Sequence, residues 1–95
     1  MSIFFYSPSV LQKLKARHSV ETNEVEECFS NRYGLTLVDD REEHKTEPPT
    51  RWFIAETASG RLLKVMFVKL DDKYHIKSAY EPSPSAIEIY EKYAL

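Results

Sequence analysis

One stretch of the chain, RWFIAETASGRLLKVMFVKLDDKYHIKSAY from Arg51 to Tyr80, determines the fold. It contains three runs rich in Val, Ile, Phe, Tyr and Trp, which are separated by the short turns Ser59-Gly60 and Asp71-Asp72. Such short connections leave no room for crossover helices, so the pattern predicts three neighbouring antiparallel strands. The middle run, around Phe67, is apolar on both faces, which is typical of a central strand.

Helices are predicted on both sides of this stretch from their capping signals. Ser7-Pro8 supplies an N-cap and a proline at the first helical position, which predicts a helix over residues 8–17. A second helix is predicted from the acidic segment at Glu21 to the terminator Gly34. Ser83-Pro84 repeats the cap-and-proline pattern, so a third helix is expected to close the chain.

Two further short runs, Ile3–Tyr6 and Leu35–Val38, are strand candidates. Adding one of them to the three predicted strands gives an α+β domain with an antiparallel sheet of about four strands. Two N-terminal helices and one C-terminal helix surround this sheet. A length of 95 residues suits a single domain over 1–95.

Composition limits the location and the partners of the chain. The formal net charge is −2, which argues against wholesale electrostatic capture of nucleic acid. Its distribution is uneven, because Lys13, Lys15 and Arg17 lie in an N-terminal segment that has no acid. No apolar run is long enough for a membrane span, no signal peptide is visible, and Cys28 has no cysteine partner, so a cytoplasmic location is expected.

Six short motifs occur in an order that resembles the BrnT-type toxin family of bacterial toxin–antitoxin operons. They are RHSV (17–20), CF (28–29), RWF (51–53), GRLLKVMFV (60–68), IKSAY (76–80) and YEKY (90–93). The resemblance spans the chain from about Phe5 to Tyr93.

This resemblance implies a fold and an activity. The fold would be similar to that of the RelE-like ribonucleases, with helices against one face of an antiparallel sheet. The activity would be RNA cleavage without a metal or other cofactor, neutralised by a cognate antitoxin protein. The residues that match family positions are His18, Arg51, Arg61, Lys77, Ser78, Ala79 and Tyr90.

Two departures from the family pattern concern the expected RNA surface. Tyr80 stands where the family has a second arginine, and the segment from Glu81 onward carries three acids against Lys92 alone. Fewer cations are therefore available to hold RNA phosphates.

Metal-free RNA cleavage needs a base for the 2′-hydroxyl proton, a cation for the phosphorane charge and an acid for the leaving oxygen. The sequence contains side chains of these types, which we divide into a catalytic group and an RNA-binding group. We expect His75 and Lys77 to project from the same side of one strand, because their spacing is two. The predicted catalytic residues are Arg51, Arg61, His75 and Lys77, and the predicted RNA-binding residues are His18, Lys64 and Tyr80.

Other interpretations of these residues remain open. Lys64 and Lys77 are also compatible with ordinary solvated strand positions, and His18 with a helix-terminal histidine. Trp52, Tyr74, Tyr90 and Cys28 are expected in the core. The acidic loop after Val38, with Asp39, Asp40, Glu42, Glu43 and His44, could suggest a metal site of an ADP-ribosyl hydrolase type, but its spacing does not support one.

Two functions from different classes follow. The first is a BrnT-like toxin component that acts as a metal-independent ribonuclease and is neutralised by its antitoxin. The second is a catalytically silent interaction module of the same fold. The retained Arg51, Arg61 and Lys77 favour the first, and the loss of basic residues after Ala79 favours the second.

Overall fold

A computed structural model describes residues 2–39 and 47–95. Within these residues the chain forms five strands and three α-helices, the first of which continues into a π-helical turn. In chain order they are β1 (Phe4–Phe5), α1 (Pro8–Lys13), the π-helical turn (Leu14–His18), α2 (Thr22–Asn31), β2 (Leu37–Val38), β3 (Arg51–Glu56), β4 (Leu62–Leu70), β5 (Lys73–Tyr80) and α3 (Pro84–Ala94). The α+β class predicted from the sequence is confirmed.

The strands form one sheet in the order β1-β5-β4-β3-β2. β4 therefore lies at the centre, as its two-sided apolarity predicts. Strands β2 to β5 are antiparallel neighbours, whereas β1 pairs with β5 in parallel. The expectation of about four antiparallel strands is wrong in this detail, because both short strand candidates join the sheet as its two edges.

Helices cover both faces of the sheet. On one face, the Phe29 ring of α2 packs edge-on against Phe53 at 4.8 Å and Phe67 at 5.2 Å. On the other face, the Tyr90 ring of α3 lies 5.7 Å from that of Trp52. Consecutive residues of a strand point to opposite faces, so Phe53 faces α2 and Trp52 faces α3. The resemblance implied helices on a single face, and the structure corrects this.

The helix starts follow the predicted capping chemistry. The hydroxyls of Ser7 and Ser83 each accept a hydrogen bond from a backbone N–H three residues on, at 3.2 Å. α2 begins with a capping box in which the carboxylates of Glu21 and Glu24 accept from each other's backbone N–H. The predicted helix 8–17 ends differently, because its last turn widens into the π-helical turn and Ser19 follows in the left-handed region at φ 52°.

One irregularity interrupts the long β4–β5 pair. Met66 pairs with Ser78 and Phe67 pairs with Ile76, which leaves Lys77 as an extra residue opposite a continuous β4. This is a β-bulge, which bends a strand and redirects its side chains. The expectation that His75 and Lys77 share one side of β5 assumes unbroken alternation, which the bulge interrupts next to Lys77, so it stays a prediction.

The core contains most of the aromatic and aliphatic residues that the sequence places there. Trp52, Tyr90 and Cys28 are buried, whereas Tyr74 is half-buried. The Cys28 thiol donates to the Ala55 carbonyl at 3.5 Å, and burial raises its pKa to about 12. Cys28 is thus a core residue and carries no reactive thiolate.

Candidate functional site

Three residues from different elements meet on the α3 face of the sheet, towards the C-terminal end of β5. The His18 and Tyr80 rings lie 5.2 Å apart between centroids. The Lys64 ammonium lies 5.9 Å from the Tyr80 ring centroid and 4.5 Å from that of Trp52. We call His18, Tyr80, Lys64 and Trp52 the aromatic–cation row. Its distances fall within the range of ring stacking and cation–π attraction.

Sheet pairing brings the middle of this row together. Lys64 of β4 is the direct cross-strand partner of Tyr80 of β5, so the two side chains leave the same face as neighbours. Trp52 of β3 emerges from that face one strand further along, next to Lys64. The Tyr80 hydroxyl lies 3.7 Å from the Met66 sulfur, which fixes the ring against the sheet.

His18 reaches Tyr80 because of the way the first helix ends. The Leu14 carbonyl accepts hydrogen bonds from the backbone N–H groups of both Ser19 and Val20, which closes the π-helical turn. Ser19 then takes up its left-handed conformation and reverses the chain. Such turns and single αL residues are frequent at functional sites.

The Arg61 side chain stabilises this reversal of the chain. Its guanidinium donates to the carbonyls of His18 at 3.0 Å and Ser19 at 2.8 Å. It also contacts the Glu24 carboxylate at 3.2 Å and that of Glu81, the residue after Tyr80, at 3.5 Å. Arg61 was predicted to be catalytic, and the structure places it as a bridge between the backbone of His18 and Ser19 and the carboxylates of Glu24 and Glu81.

Two basic groups, Lys13 at the end of α1 and Arg17 in the π-helical turn, act on His18. The Lys13 ammonium donates to the Lys77 carbonyl at 2.8 Å, which brings both lysines to the bulge in β5. Partial burial lowers the pKa of His18, and the positive charges of Lys13 and Arg17 lower it further. The lowered pKa favours the neutral imidazole, which is able to accept a proton.

The four predicted catalytic residues do not converge. Arg51 pairs with Phe67, and Arg61 precedes Phe67 by six residues of extended chain, so the two arginines lie roughly 20 Å apart along the sheet. His75 pairs with Val68 and stacks on Phe5 at 5.2 Å, five residues from Tyr80 along β5. Because Arg61 lies far from Arg51, the four residues do not all belong to one site, and their individual roles stay predictions.

The three predicted RNA-binding residues, His18, Lys64 and Tyr80, are the ones that the structure brings together. Sequence reasoning missed two contributions to their surroundings. Trp52 is expected in the core, where the structure places it, and its contact with Lys64 was not predicted because it depends on the register of β3 and β4. Lys13 was treated only as part of a basic segment, and no sequence signal indicated its contact with β5.

The residues that the structure describes contain no group of three or more His, Cys, Asp or Glu side chains placed to hold a metal ion. Asp40, Glu42, Glu43 and His44 of the acidic loop lie outside the described residues. No helix within 2–39 and 47–95 is long and apolar enough to cross a membrane.

Comparisons with protein families, with curated proteins and with solved structures found no match to the chain.

Proposed function

We propose that the protein is a toxin component that binds single-stranded RNA at the aromatic–cation row and cleaves it without a metal. The observation that carries this proposal is the convergence of His18, Lys64 and Tyr80 from a helix end and two strands. Aromatic rings interleaved with cations bind single strands, because every base has a face that stacks and every linkage has a charge.

His18, Lys64 and Tyr80 have separate tasks. Tyr80 stacks a base, and Lys64, aided by Lys13, attracts the adjoining phosphate. The neutral His18 accepts the 2′-hydroxyl proton while the 2′-oxygen attacks phosphorus. The bond to the 5′-oxygen breaks, the imidazolium returns the proton to that oxygen, and the products are a 2′,3′-cyclic phosphate and a 5′-hydroxyl.

The toxin assignment adds a partner, a cognate antitoxin encoded beside the chain. Its support is the order of motifs that resembles the BrnT-type family, together with an α+β fold in which RHSV (17–20) and IKSAY (76–80) contribute His18 and Tyr80 to one place. Expression of the chain alone should slow bacterial growth, and co-expression of the neighbouring gene product should restore it and yield a complex.

The alternative is a catalytically silent interaction module of the same fold. It is favoured by one observation, that Arg61 is engaged by Glu24 and Glu81 and by two backbone carbonyls. A guanidinium held in this way is less able to stabilise a phosphorane. The aromatic–cation row therefore supports the ribonuclease, whereas the contacts of Arg61 support the silent module.

Binding and cleavage of a labelled single-stranded oligoribonucleotide in EDTA separate these possibilities. Tyr80→Ala and Lys64→Gln should each weaken binding roughly fivefold to a hundredfold. His18→Gln should bind almost normally but cleave about 10² to 10⁴ times more slowly.

The chain supplies matched controls for both changes. Lys69→Gln removes a lysine from the far end of β4, and His75→Gln removes a histidine that also stacks on a ring. Both should behave as wild type. If His75→Gln loses cleavage and His18→Gln does not, the proton transfer would be assigned to His75, at the other end of β5. A wild-type chain that leaves RNA unbound and intact would favour the silent module.

A further inference from the structure

A cleft opens beside the aromatic–cation row, between α3 and the β2 edge of the sheet. Its volume is about 550 Å³, and its walls are mostly apolar. The residues that line it are Leu37, Val38, Asp39, Trp52, Lys64, Ile89 and Tyr93. This size and this mixture of many apolar groups with few polar ones are typical of small-ligand sites.

The cleft has a buried floor and an exposed apolar mouth. Trp52 and Asp39 are buried, whereas Val38, Ile89 and Tyr93 are 48%, 46% and 61% exposed. Ile89 and Tyr93 are four residues apart on α3, so they lie side by side on the helix surface. Exposed apolar side chains around a concave space indicate a surface that is covered when a ligand binds.

Lys64 joins the cleft to the site described above. It lines the cleft, and its ammonium lies over the Trp52 ring at 4.5 Å and near the Tyr80 ring at 5.9 Å. We propose that the cleft holds an unpaired base of the RNA strand whose neighbouring nucleotide stacks on Tyr80. This inference rests on the proposed RNA binding and specifies its substrate as a strand with at least one unstacked base.

Charge determines which end of a nucleotide enters the cleft. The acids Glu88 and Glu91 are exposed on α3 next to Ile89 and repel phosphate there. The basic groups Lys13 and Arg17 lie around His18, at the opposite end of the row. The phosphate backbone therefore lies between Lys64, at the edge of the cleft, and His18, and the uncharged base is the part that the apolar cleft accepts. A base inside a duplex cannot enter, since it is stacked and paired.

The test compares three probes by fluorescence anisotropy: a single-stranded oligoadenylate, the same strand with one abasic nucleotide, and a fully paired RNA duplex. The variant is Ile89→Ser with Tyr93→Ser, two exposed positions whose replacement leaves the core intact. Its control is Leu70→Ser with Tyr33→Ser, which removes an aliphatic and an aromatic side chain of comparable exposure, 45% and 67%, from outside the cleft. Unfolding curves establish that both variants are folded.

The cleft variant should bind the intact strand roughly fivefold or more weakly than wild type does. It should bind the abasic strand with the affinity that wild type has for that strand. The control variant should match wild type with both strands. Wild type should bind the duplex more weakly than either single strand. Unchanged affinity of the cleft variant for the intact strand, with Tyr80→Ala still weakening it, would overturn the base site while leaving RNA binding in place. If the cleft variant also loses self-association in a sedimentation experiment, the occupant of the cleft would be a second copy of the chain. Failure of wild type to bind any probe would instead overturn the proposed function.

Discussion

The ring of His18 lies 5.2 Å from the ring of Tyr80, although one ends the first helical segment and the other ends the last strand. Neither ring is placed by its own element alone. His18 depends on the π-helical turn and on the left-handed Ser19, and Tyr80 depends on its pairing with Lys64. The contact between the two rings therefore requires both the π-helical turn and the pairing of β4 with β5.

This contact leads to a prediction about pH. Because folding lowers the pKa of His18, the unfolded chain binds more protons than the folded chain just below the ordinary histidine pKa. The free energy of unfolding should therefore fall as the pH falls from about 7.5 to about 5.5. His18→Gln should reduce this slope, as measured by urea unfolding at each pH.

The matching control is His75→Gln, which leaves His18 in place. A His18→Gln variant whose slope equals that of wild type would contradict the assignment. The same shift implies that RNA cleavage holds its rate down to a pH below the usual histidine range, because the base stays unprotonated there.

A second prediction concerns Arg61. Arg61→Lys keeps the positive charge but loses the planar fork that reaches two carbonyls and two carboxylates. We expect a loss of about 1 to 2 kcal/mol in the free energy of unfolding, since hydrogen bonds that involve charged groups contribute roughly this much. Arg17→Lys, at an exposed position, should cost far less and serves as the control.

The activity of these variants distinguishes bridging from direct contact. If Arg61 only holds the His18 backbone, Arg61→Lys should lower cleavage and leave the affinity for RNA almost unchanged. A weakened affinity with an unchanged cleavage rate at saturation would show that Arg61 contacts the RNA itself.

Much of the fold was predictable from local patterns. The three long strands follow from alternation and turn residues in 51–80, and the α1 and α3 starts follow from Ser7-Pro8 and Ser83-Pro84. The parallel pairing of β1 was not, because a two-residue strand carries no signal about its partner. Its partner is set by the register in which Phe4 lies opposite Tyr74 and Phe5 opposite His75.

The candidate site was predictable in part. Residue types alone indicated His18, Lys64 and Tyr80, and sheet register then joined Lys64 to Tyr80. The predicted group of Arg51, Arg61, His75 and Lys77 relied on spacing along single strands. It does not converge because Arg51 begins β3 whereas Arg61 precedes β4, which runs in the opposite direction, so the two arginines lie at opposite ends of this strand pair.

The third prediction tests the central strand. Phe67 of β4 is 3% exposed and touches Phe29 and Phe53, so Phe67→Asp would bury a charge without a partner. The penalty is several kcal/mol, which is a large part of the stability of a small domain, and the chain should unfold. Leu70→Asp, at an exposed position of the same strand, should remain folded by circular dichroism. A folded Phe67→Asp with the wild-type thermal midpoint would contradict the packing.

The fourth prediction concerns Gly34, which lies where α3 meets the segment before β2. A Cβ at this position would lie 2.7 Å from the Tyr90 hydroxyl oxygen, 2.8 Å from a Leu95 methyl carbon and 3.1 Å from the Ala94 carbonyl oxygen. The Tyr90 hydroxyl cannot easily withdraw, because it donates to the Leu35 carbonyl at 2.8 Å on a ring that is 2% exposed. Gly34→Ala should therefore displace α3 and cost about 1 to 3 kcal/mol in the free energy of unfolding.

Gly60→Ala is the informative comparison, because its Cβ would meet no atom within 4 Å but its φ is +87°. It should lose stability through backbone strain alone, so no second substitution should recover the loss. Gly34→Ala acts through packing, and removing the obstructing oxygen with Tyr90→Phe should recover part of its stability in the double variant. The thermal midpoints of both single variants and the double variant measure this coupling. Strictly additive losses for Gly34→Ala and Tyr90→Phe would show that the hydroxyl does not limit the space at Gly34, and that α3 approaches the sheet less closely than the structure indicates.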